Sequence, residues 1–315
     1  MTLLRRAITV PLVTVIMGCV LAFSPLLLAV AAVAGLATRS SRPVRTVGLV
    51  MAYAVIELET LWKLLRDGRD GDEFMREVLE HAYTAVRRTL DVQVVLDDVS
   101  PSVEQIPRDV PVVVLSRHCG PGDSILVAWL LAIHYGLRPR IVLKRLLRCE
   151  PILDLAGDLK CLCFLQRNGD RSRKQIQDLA ASLGSGYALL LFPEGGNFTW
   201  TRWRAAVARL RSSGRLREAR RAWRQTHTLP PRTGGTAAAL SGAPEAAVLV
   251  ISHTGFSPDG RSRRWWQLPV HRQLLAHAAL IPHTELPEPD QLGPWLERTW
   301  SEVDAWVVGH SNCRS

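Results

Sequence analysis

A histidine and an aspartate, His118 and Asp123, stand in one glycine-containing loop, in the segment SRHCGPGDS at residues 116–124. A neutral imidazole, with a pKa of about 6.5, can accept a proton at cytosolic pH. A carboxylate bonded to its second ring nitrogen fixes the tautomer and stabilises the imidazolium that forms. Glycines allow the chain to fold back so that the two side chains can meet. The pattern therefore predicts that His118 is a general base and that Asp123 orients it.

Apolar runs on both sides indicate how this loop is held. Residues 110–115 are apolar and residues 124–131 are helix-like, so a strand, a turn and a helix are predicted. A second apolar run at 187–192 leads into another glycine-rich turn, which carries the carboxylate of Glu194. Two strands would then each end in a loop with a carboxylate. The alternative for Asp123 is that it only caps the helix that follows.

The two loops resemble the motifs of the glycerolipid acyltransferases, the family that acylates glycerol 3-phosphate and lysophosphatidic acid. His118 and Asp123 match its His-x-x-x-x-Asp motif. Its Phe-Pro-Glu-Gly-Thr-Arg motif is matched at Phe192, Pro193, Glu194 and Gly195. Matches to the intervening segment of the family are Lys144, Leu147, Pro151, Leu153, Phe164 and Arg167. Residues 229–233, Leu-Pro-Pro-Arg-Thr, resemble its fourth block, so four ordered blocks cover about residues 110–255.

The resemblance implies acyl transfer from a thioester of coenzyme A or of an acyl carrier protein to a lipid hydroxyl. In this chemistry His118 is the base, Asp123 orients it, and backbone N–H groups of a glycine turn stabilise the oxyanion. Lys144 and Arg167 are expected to contact phosphate or coenzyme A. Glu194 is expected to accept a hydrogen bond from a glycerol-type hydroxyl, or else to cap a segment or pair with an arginine. The other residues expected to bind substrate are Phe192, Pro193, Gly195 and Pro231. No metal and no cofactor are implied.

Two positions depart from the family pattern. Gly196 and Asn197 replace the Thr-Arg pair, whose arginine is associated with the phosphate of the acceptor, and asparagine cannot make a bidentate guanidinium contact. Either Arg202, Arg204 or Arg167 replaces it, or the acceptor is not a simple phosphomonoester. The second departure is Asp154-Leu155, which stands where the family often has Gly-Trp.

The N-terminus predicts a membrane anchor, because residues 7–38 carry no charged side chain and about 20 apolar residues span a bilayer. Proline and glycine interrupt the run, so a kinked span and a re-entrant helical hairpin are both possible, and a cleaved signal is the alternative. Arginines flank both ends, and a hairpin would put both flanks in the cytoplasm. An interfacial helix is expected at 47–65. We therefore assign residues 1–66 to the anchor and interfacial helix and residues 67–315 to the acyltransferase domain.

The charge of the chain indicates an anionic partner. The formal net charge is +10 and the isoelectric point is about 9.9. No zinc-finger spacing, RNA-binding aromatic motif or helix-turn-helix is present, so an anionic membrane surface fits better than nucleic acid. The densest basic cluster lies at residues 202–224 and is interleaved with Trp200, Trp203 and Trp223. Three interpretations remain for it: a solvated helical face, contact with a membrane interface, or capture of an anionic acyl donor.

The cysteines and one further histidine give less information. The six cysteines have no paired metal-ligand spacing. Cys119 beside His118 allows a thiol nucleophile, but neighbouring side chains on an extended turn point apart. His253 ends an apolar strand, so it either lines the same cleft or has a structural role.

Apolar strands and helices alternate along the chain, which predicts the fold class. Strands are expected at 92–96, 140–143, 159–165, 187–192 and 246–252, with a weaker segment starting at Val270. Helices are expected at 73–90, 171–183, 234–240 and 294–308. The prediction is a single α/β domain with a largely buried mixed sheet flanked by helices, behind an N-terminal helix or helical hairpin.

The sequence as a whole predicts a membrane-bound acyltransferase with lysophosphatidic acid as the acceptor and its active site facing the cytoplasm. Its partners would be membrane lipids, the acyl donor and a lysophospholipid, and not nucleic acid. Two alternatives stay open. One is the same reaction on another lysophospholipid or a glycolipid, and the other is a lipid-binding protein that keeps the fold without catalysis.

Overall fold

The computed structural model describes residues 2–66, 70–120, 122–166, 168–255 and 268–311. Within these ranges the helices are α1 (Thr2–Ala22), α2 (Ser24–Thr38), α3 (Arg42–Arg66), α4 (Gly71–Leu90), α5 (Asp123–Trp129, continued by a π-helical turn to His134), α6 (Pro151–Asp158), α7 (Gly169–Ala181), α8 (Trp200–Ser212), α9 (Leu216–Arg224), α10 (Thr233–Gly242) and α11 (Leu292–Ser311). The strands are β1 (Val92–Leu96), β2 (Val112–Ser116), β3 (Arg138–Lys144), β4 (Leu162–Leu165), β5 (Tyr187–Leu191), β6 (Ala247–His253) and β7 (Arg272–Ile281).

The strands form one mixed seven-stranded sheet in the order β1-β7-β6-β2-β5-β3-β4. The chain is thus an α/β protein with a sheet flanked by helices, which confirms the predicted fold class. Two compact units are present. The first comprises residues 1–93, 140–167 and 264–272, and the second comprises residues 94–139, 168–263 and 273–315. The boundary at residue 66 stays a prediction.

The second unit is built on β2, which is buried along its whole length. It pairs in parallel with β5 on one side and with β6 on the other, and β7 pairs antiparallel with β6. Strands buried on both faces need continuous apolar side chains, and the Val- and Leu-rich runs of β2, β5 and β6 supply them. Since β2, β5 and β6 are parallel, the loops after them leave the same edge of the sheet. His118 follows β2, Glu194 follows β5, and Gly255 follows β6.

The first unit contains the N-terminal helices. By length and composition, α1 is the one described helix that is long and apolar enough to cross a membrane, and α2 is a shorter apolar helix. Arg5 makes a bidentate ion pair with Asp154 of α6, with Nη2–Oδ1 at 2.6 Å and Nε–Oδ2 at 3.2 Å. Arg6 binds the same carboxylate at 3.0 Å and also pairs with Asp158. Burial alone would raise the pKa of Asp154, but the bonds from the two arginines lower it overall.

The unusual Asp154 of the family-like segment therefore fixes the start of α1.

Other differences from the expected elements are local. The segment expected as a strand from residue 159 begins only at Leu162, because α6 continues to Asp158. The weak segment near Val270 is a strand of ten residues, β7. The anchor region breaks at Phe23, between α1 and α2, and α2 has Pro25 in its first turn.

Candidate active site

His118 lies in the loop after β2, with both of its backbone polar groups bonded. Its N–H donates to Glu194 Oε1 at 3.0 Å, and its carbonyl accepts from the N–H of Phe198 at 2.9 Å. The imidazole lies against the ring of Phe192, with centroids 4.5 Å apart, and the residue is only partly buried. The loop after β5 therefore fixes the main chain of the predicted base from both sides, while part of the residue stays open to solvent.

Glu194 connects three segments of the site. The side chain is 2% exposed; Oε1 accepts from His118 N, and Oε2 accepts from Leu229 N at 2.8 Å. Burial raises the pKa of Glu194 to about 7, against the opposing effects of the Arg117 guanidinium and the two amides. Both oxygens thus have partners in the protein, as in the capping alternative, and the hydrogen bond to an acceptor hydroxyl stays a prediction.

Replacing Glu194 with glutamine is expected to remove a pH-dependent part of the stability. A carboxyl whose pKa rises on folding stabilises the protein fully below its unfolded pKa of about 4.3, and this contribution is lost as the pH rises through about 7. We compare the free energy of unfolding of the wild type with that of the variant at each pH. The difference in favour of the wild type should be about 2 kcal/mol larger at pH 5 than at pH 8. Denaturant unfolding at the two pH values measures this difference. An equal gap at both would contradict it.

Asp123 is 1% exposed and holds the turn that follows His118. Its Oδ2 accepts from the N–H groups of Cys119 and Gly120, at 2.9 and 2.5 Å, and from the Cys119 thiol at 3.0 Å. Oδ1 has no hydrogen-bond partner among the described residues. The two amides that donate to Asp123 are occupied, so they do not supply the oxyanion donors expected from this turn. The orienting role of Asp123 towards His118 stays a prediction.

Arg117 is a site residue that the sequence analysis did not identify. It is fully buried, and its guanidinium donates to the carbonyls of His227, His253 and Thr254. These carbonyls belong to the loop at His227 and to the end of β6 with the residue after it, so Arg117 joins two distant segments to the residue before the base. Its only signal in the sequence is its position directly before His118.

His253 lies at the end of β6, and its side chain makes a hydrogen bond within the protein. Its Nε2 is 2.8 Å from the carbonyl oxygen of Arg117, and because a carbonyl only accepts, Nε2 carries the proton. Burial lowers the pKa of His253 and favours the neutral ring. The residue also lines a small cleft together with Asp123. The hydrogen bond supports the structural role, and a place of His253 in the same cleft as His118 stays a prediction.

One group of side chains in the described part of the chain could hold a metal ion. The ligand atoms of Cys119, Asp123 and His253 lie within 4.8 Å of one another, and all three residues are buried. Gly255, with φ +65°, passes directly beside them, and a Cβ there would lie 2.0 Å from the Cys119 sulfur. The thiol bonds to Asp123, which gives Cys119 a structural contact. The expectation that no metal takes part stays a prediction.

Gly195 and Arg232 meet at the exposed side of the loop after β5. Gly195 has φ +69°, and a Cβ there would lie 3.1 Å from Arg232 Cζ, so glycine is required. The N–H of Arg232 donates to the carbonyl of Pro193 at 2.9 Å, and the residue is exposed. The Leu-Pro-Pro-Arg-Thr block thus packs on the Glu194 loop from Leu229 to Arg232, with Pro231 between the two bonds. A guanidinium lies beside the loop from which the family arginine is missing.

The structure brings most of the predicted residues into the second unit. Six of them stand there at the sheet edge, in the loops after β2 and β5 and at the start of α5, with Pro231 in the block packed on them: His118, Asp123, Phe192, Pro193, Glu194 and Gly195. Lys144 is exposed at the end of β3, in the first unit. Arg167 lies outside the described residues. Arg202 donates to the carbonyl of Asn197 at 3.1 Å.

The sheet and the loops that carry His118 and Glu194 together indicate the class of protein. Residues 101–254 match the model of the family described as Acyltransferase, and this range contains the His118 and Glu194 loops and the Pro-Arg-Thr block. Residues 101–254, just under half of the chain, thus match the Acyltransferase family, which supports the resemblance to the glycerolipid acyltransferases. No curated protein matches it.

A solved structure is similar to the chain over most of its length. The crystal structure of the 1-acyl-sn-glycerophosphate (LPA) acyltransferase, PlsC, from Thermotoga maritima covers 87% of this chain and 98% of its own, with a TM-score of 0.56 and 15% identity. At that identity the likeness shows a shared fold.

Proposed function

We propose that the protein is a membrane-bound enzyme that moves a fatty acyl group from a thioester to the free hydroxyl of lysophosphatidic acid. The observation that carries the proposal is the fixed backbone of His118, held by Glu194 on one side and Phe198 on the other within a domain of the acyltransferase family. The side chain of a partly exposed histidine on a rigid main chain is suited to proton transfer in a bound substrate.

In the proposed reaction the imidazole of His118 takes the proton of the acceptor hydroxyl while the hydroxyl oxygen attacks the thioester carbonyl. The C–S bond then breaks, the thiolate leaves, and the proton returns to it from His118. No protein nucleophile is needed, so both substrates bind together. The amides of Cys119 and Gly120 already donate to Asp123, so they are not assigned to the oxyanion.

The phosphate of the acceptor is assigned to Arg232. Its guanidinium lies beside Gly195, next to the Glu194 that holds the base, and a planar guanidinium binds a phosphate in bidentate geometry. Arg232 therefore replaces the family arginine whose position is occupied by Asn197. The same departure keeps a second acceptor class open, since a lysophospholipid or glycolipid headgroup without a terminal phosphate would not need that arginine.

The cleft beside Asp123 supports a lipid substrate. Apart from Asp123 and His253, its walls are mainly apolar side chains of β6, β7 and α5, such as Ile251, Leu274 and Leu126. Pockets for apolar ligands are lined in this way, with few polar groups at one end. We assign the reactive end of the hydrocarbon chain to this cleft, near Asp123.

Membrane attachment is assigned to α1 and α2. Their exposed side chains include Leu4, Ile8, Leu12, Leu26 and Val33. Arg5 and Arg6 hold the start of α1 against α6, and α3 follows α2 within the same unit. Both ends of the pair would then remain on one side, as in the re-entrant hairpin, with the basic flanks and the active site in the cytoplasm.

The test is the release of thiol from a long-chain acyl-coenzyme A by the full chain in detergent. Lysophosphatidic acid, other lysophospholipids, and no acceptor are compared, and an acyl carrier protein thioester is the second donor. Release that depends on lysophosphatidic acid is the expected result. Release with another acceptor only would move the proposal to that lipid. No release with either donor and any acceptor would overturn the enzymatic function in favour of a non-catalytic lipid-binding protein.

A further inference from the structure

Helices α8 and α9 form a strongly basic element, which we name the arginine hairpin (residues 200–224). It contains nine arginines, no lysine and one acidic residue, Glu218, so its formal charge is +8, compared with +10 for the whole chain. The arginines are Arg202, Arg204, Arg209, Arg211, Arg215, Arg217, Arg220, Arg221 and Arg224. Nearly all the excess charge of the protein therefore lies in one short element.

Most of this charge is not neutralised by the protein. Arg221 and Arg215 pair with Glu297 of α11, and Arg215 also pairs with Glu218. Five further arginines are exposed and have no carboxylate partner among the described residues; they are Arg204, Arg209, Arg217, Arg220 and Arg224. So many adjacent cations repel one another, which costs stability unless an anionic partner compensates.

The hairpin also exposes large apolar side chains. Trp223 is 54% exposed and Leu216 is 57% exposed, and their spacing places both on one face of α9 together with Arg220. The Arg211 guanidinium lies over the Trp223 ring at 5.2 Å, so the end of α8 extends the same surface. A solvated helical face has no need of an exposed tryptophan and leucine between its arginines. Arginine beside interfacial tryptophan is typical of a surface that contacts lipid headgroups and the outermost acyl carbons.

A buried core keeps this surface rigid. Trp203 donates its indole N–H to the carbonyls of Ala222 and Gln225, which ties α8 to the end of α9. Its ring lies 5.0 Å from that of Trp223 and packs in a cluster with Phe198 and Val207. The exposed residues therefore sit on a preorganised platform, and little side-chain ordering would oppose binding.

We propose that the arginine hairpin is a docking surface for an anionic lipid bilayer. The five unpaired arginines bind the acidic headgroups, and Trp223 and Leu216 enter the headgroup layer between them. The residues of this contact are separate from the apolar helices α1 and α2. It does not depend on acyl transfer, since binding needs no substrate.

The position of the hairpin gives the contact a role. A chain of aromatic rings joins it to the active-site loop, with Phe198–Trp200 at 5.5 Å and Trp200–Trp203 at 5.4 Å between centroids. Phe198 itself donates its N–H to the carbonyl of His118. A bilayer bound at the hairpin is thus next to the loop that holds the base, where anionic lipids would be concentrated.

The experiment measures binding of the full chain to vesicles of neutral phosphatidylcholine and to vesicles that also contain anionic phosphatidylglycerol. The test variant changes the five unpaired arginines to glutamine. The matched control changes five exposed arginines elsewhere to glutamine: Arg87, Arg88, Arg171, Arg272 and Arg298. Both variants lose the same charge, and unchanged circular dichroism and melting would show that both fold.

The preference for anionic over neutral vesicles should fall at least about tenfold in the test variant and much less in the control, since each arginine at an acidic surface contributes to binding. The preference of the wild type should also weaken with added salt. Equal losses in the two variants would overturn the proposal, because total charge would then be responsible. It would also be overturned if the test variant bound vesicles normally but lost binding to an acidic acyl carrier protein.

Discussion

Replacing His118 with alanine is expected to lower kcat for acyl transfer by about 10²–10⁴-fold, the contribution of a general base. The hydrogen bonds that His118 makes with Glu194 and Phe198 use its backbone, so alanine preserves them. The expected loss therefore concerns the proton transfer and not the position of the loop. Thiol release with saturating acceptor and donor measures it, and thermal melting checks the fold.

The matched control is His283→Ala, at an exposed position away from the active-site loops. This variant should keep wild-type kcat. If His118→Ala retained more than about a tenth of wild-type kcat with an unchanged melting temperature, His118 would not be the base.

Replacing Arg232 with glutamine is expected to lower kcat/KM for lysophosphatidic acid by about 10–150-fold, mainly through KM. The range corresponds to the loss of a charge-assisted contact of about 1.5–3 kcal/mol. KM for the acyl donor should stay unchanged, because the guanidinium is assigned to the phosphate of the acceptor. Initial rates at varied acceptor concentration test this assignment.

Two kinds of variant make the Arg232 experiment decisive. Arg202→Gln and Arg204→Gln remove the same charge from two of the three candidates that the sequence offers, and both should keep the wild-type KM. Adding Asn197→Arg to Arg232→Gln restores the family arginine and should recover part of the lost kcat/KM. An increase in KM for lysophosphatidic acid in Arg202→Gln or Arg204→Gln, with Arg232→Gln unaffected, would reject Arg232 as the phosphate ligand.

The local parts of the site could be predicted from the sequence. The buried strands β2 and β5 are continuous apolar runs, and each turns at glycines beside a chemically informative residue, His118 or Glu194. Such signals lie within a few residues of each other, so pattern and motif capture them. The same holds for the mixed α/β fold, because each element has its own periodicity.

Contacts between distant segments could not be predicted in this way. Arg117 binds carbonyls of residues 227, 253 and 254, and Gly195 lies against Arg232. In the sequence, Asp154 is only a departure from the family pattern, and the structure explains it by its ion pairs with the two arginines at the start of α1. In each case the partner is set by how the sheet and helices bring loops together, and no spacing in the sequence encodes it.

The double hydrogen bond of Glu194 limits how this enzyme could change its substrate. One carboxylate holds the main chain of the base and the start of the block that carries Arg232, so a substitution there would alter rate and selectivity together. Positions 197 and 232 make no contact of this kind with His118. Natural or engineered substitutions at those two positions could therefore change the preference for the acceptor headgroup and leave the proton transfer by His118 intact.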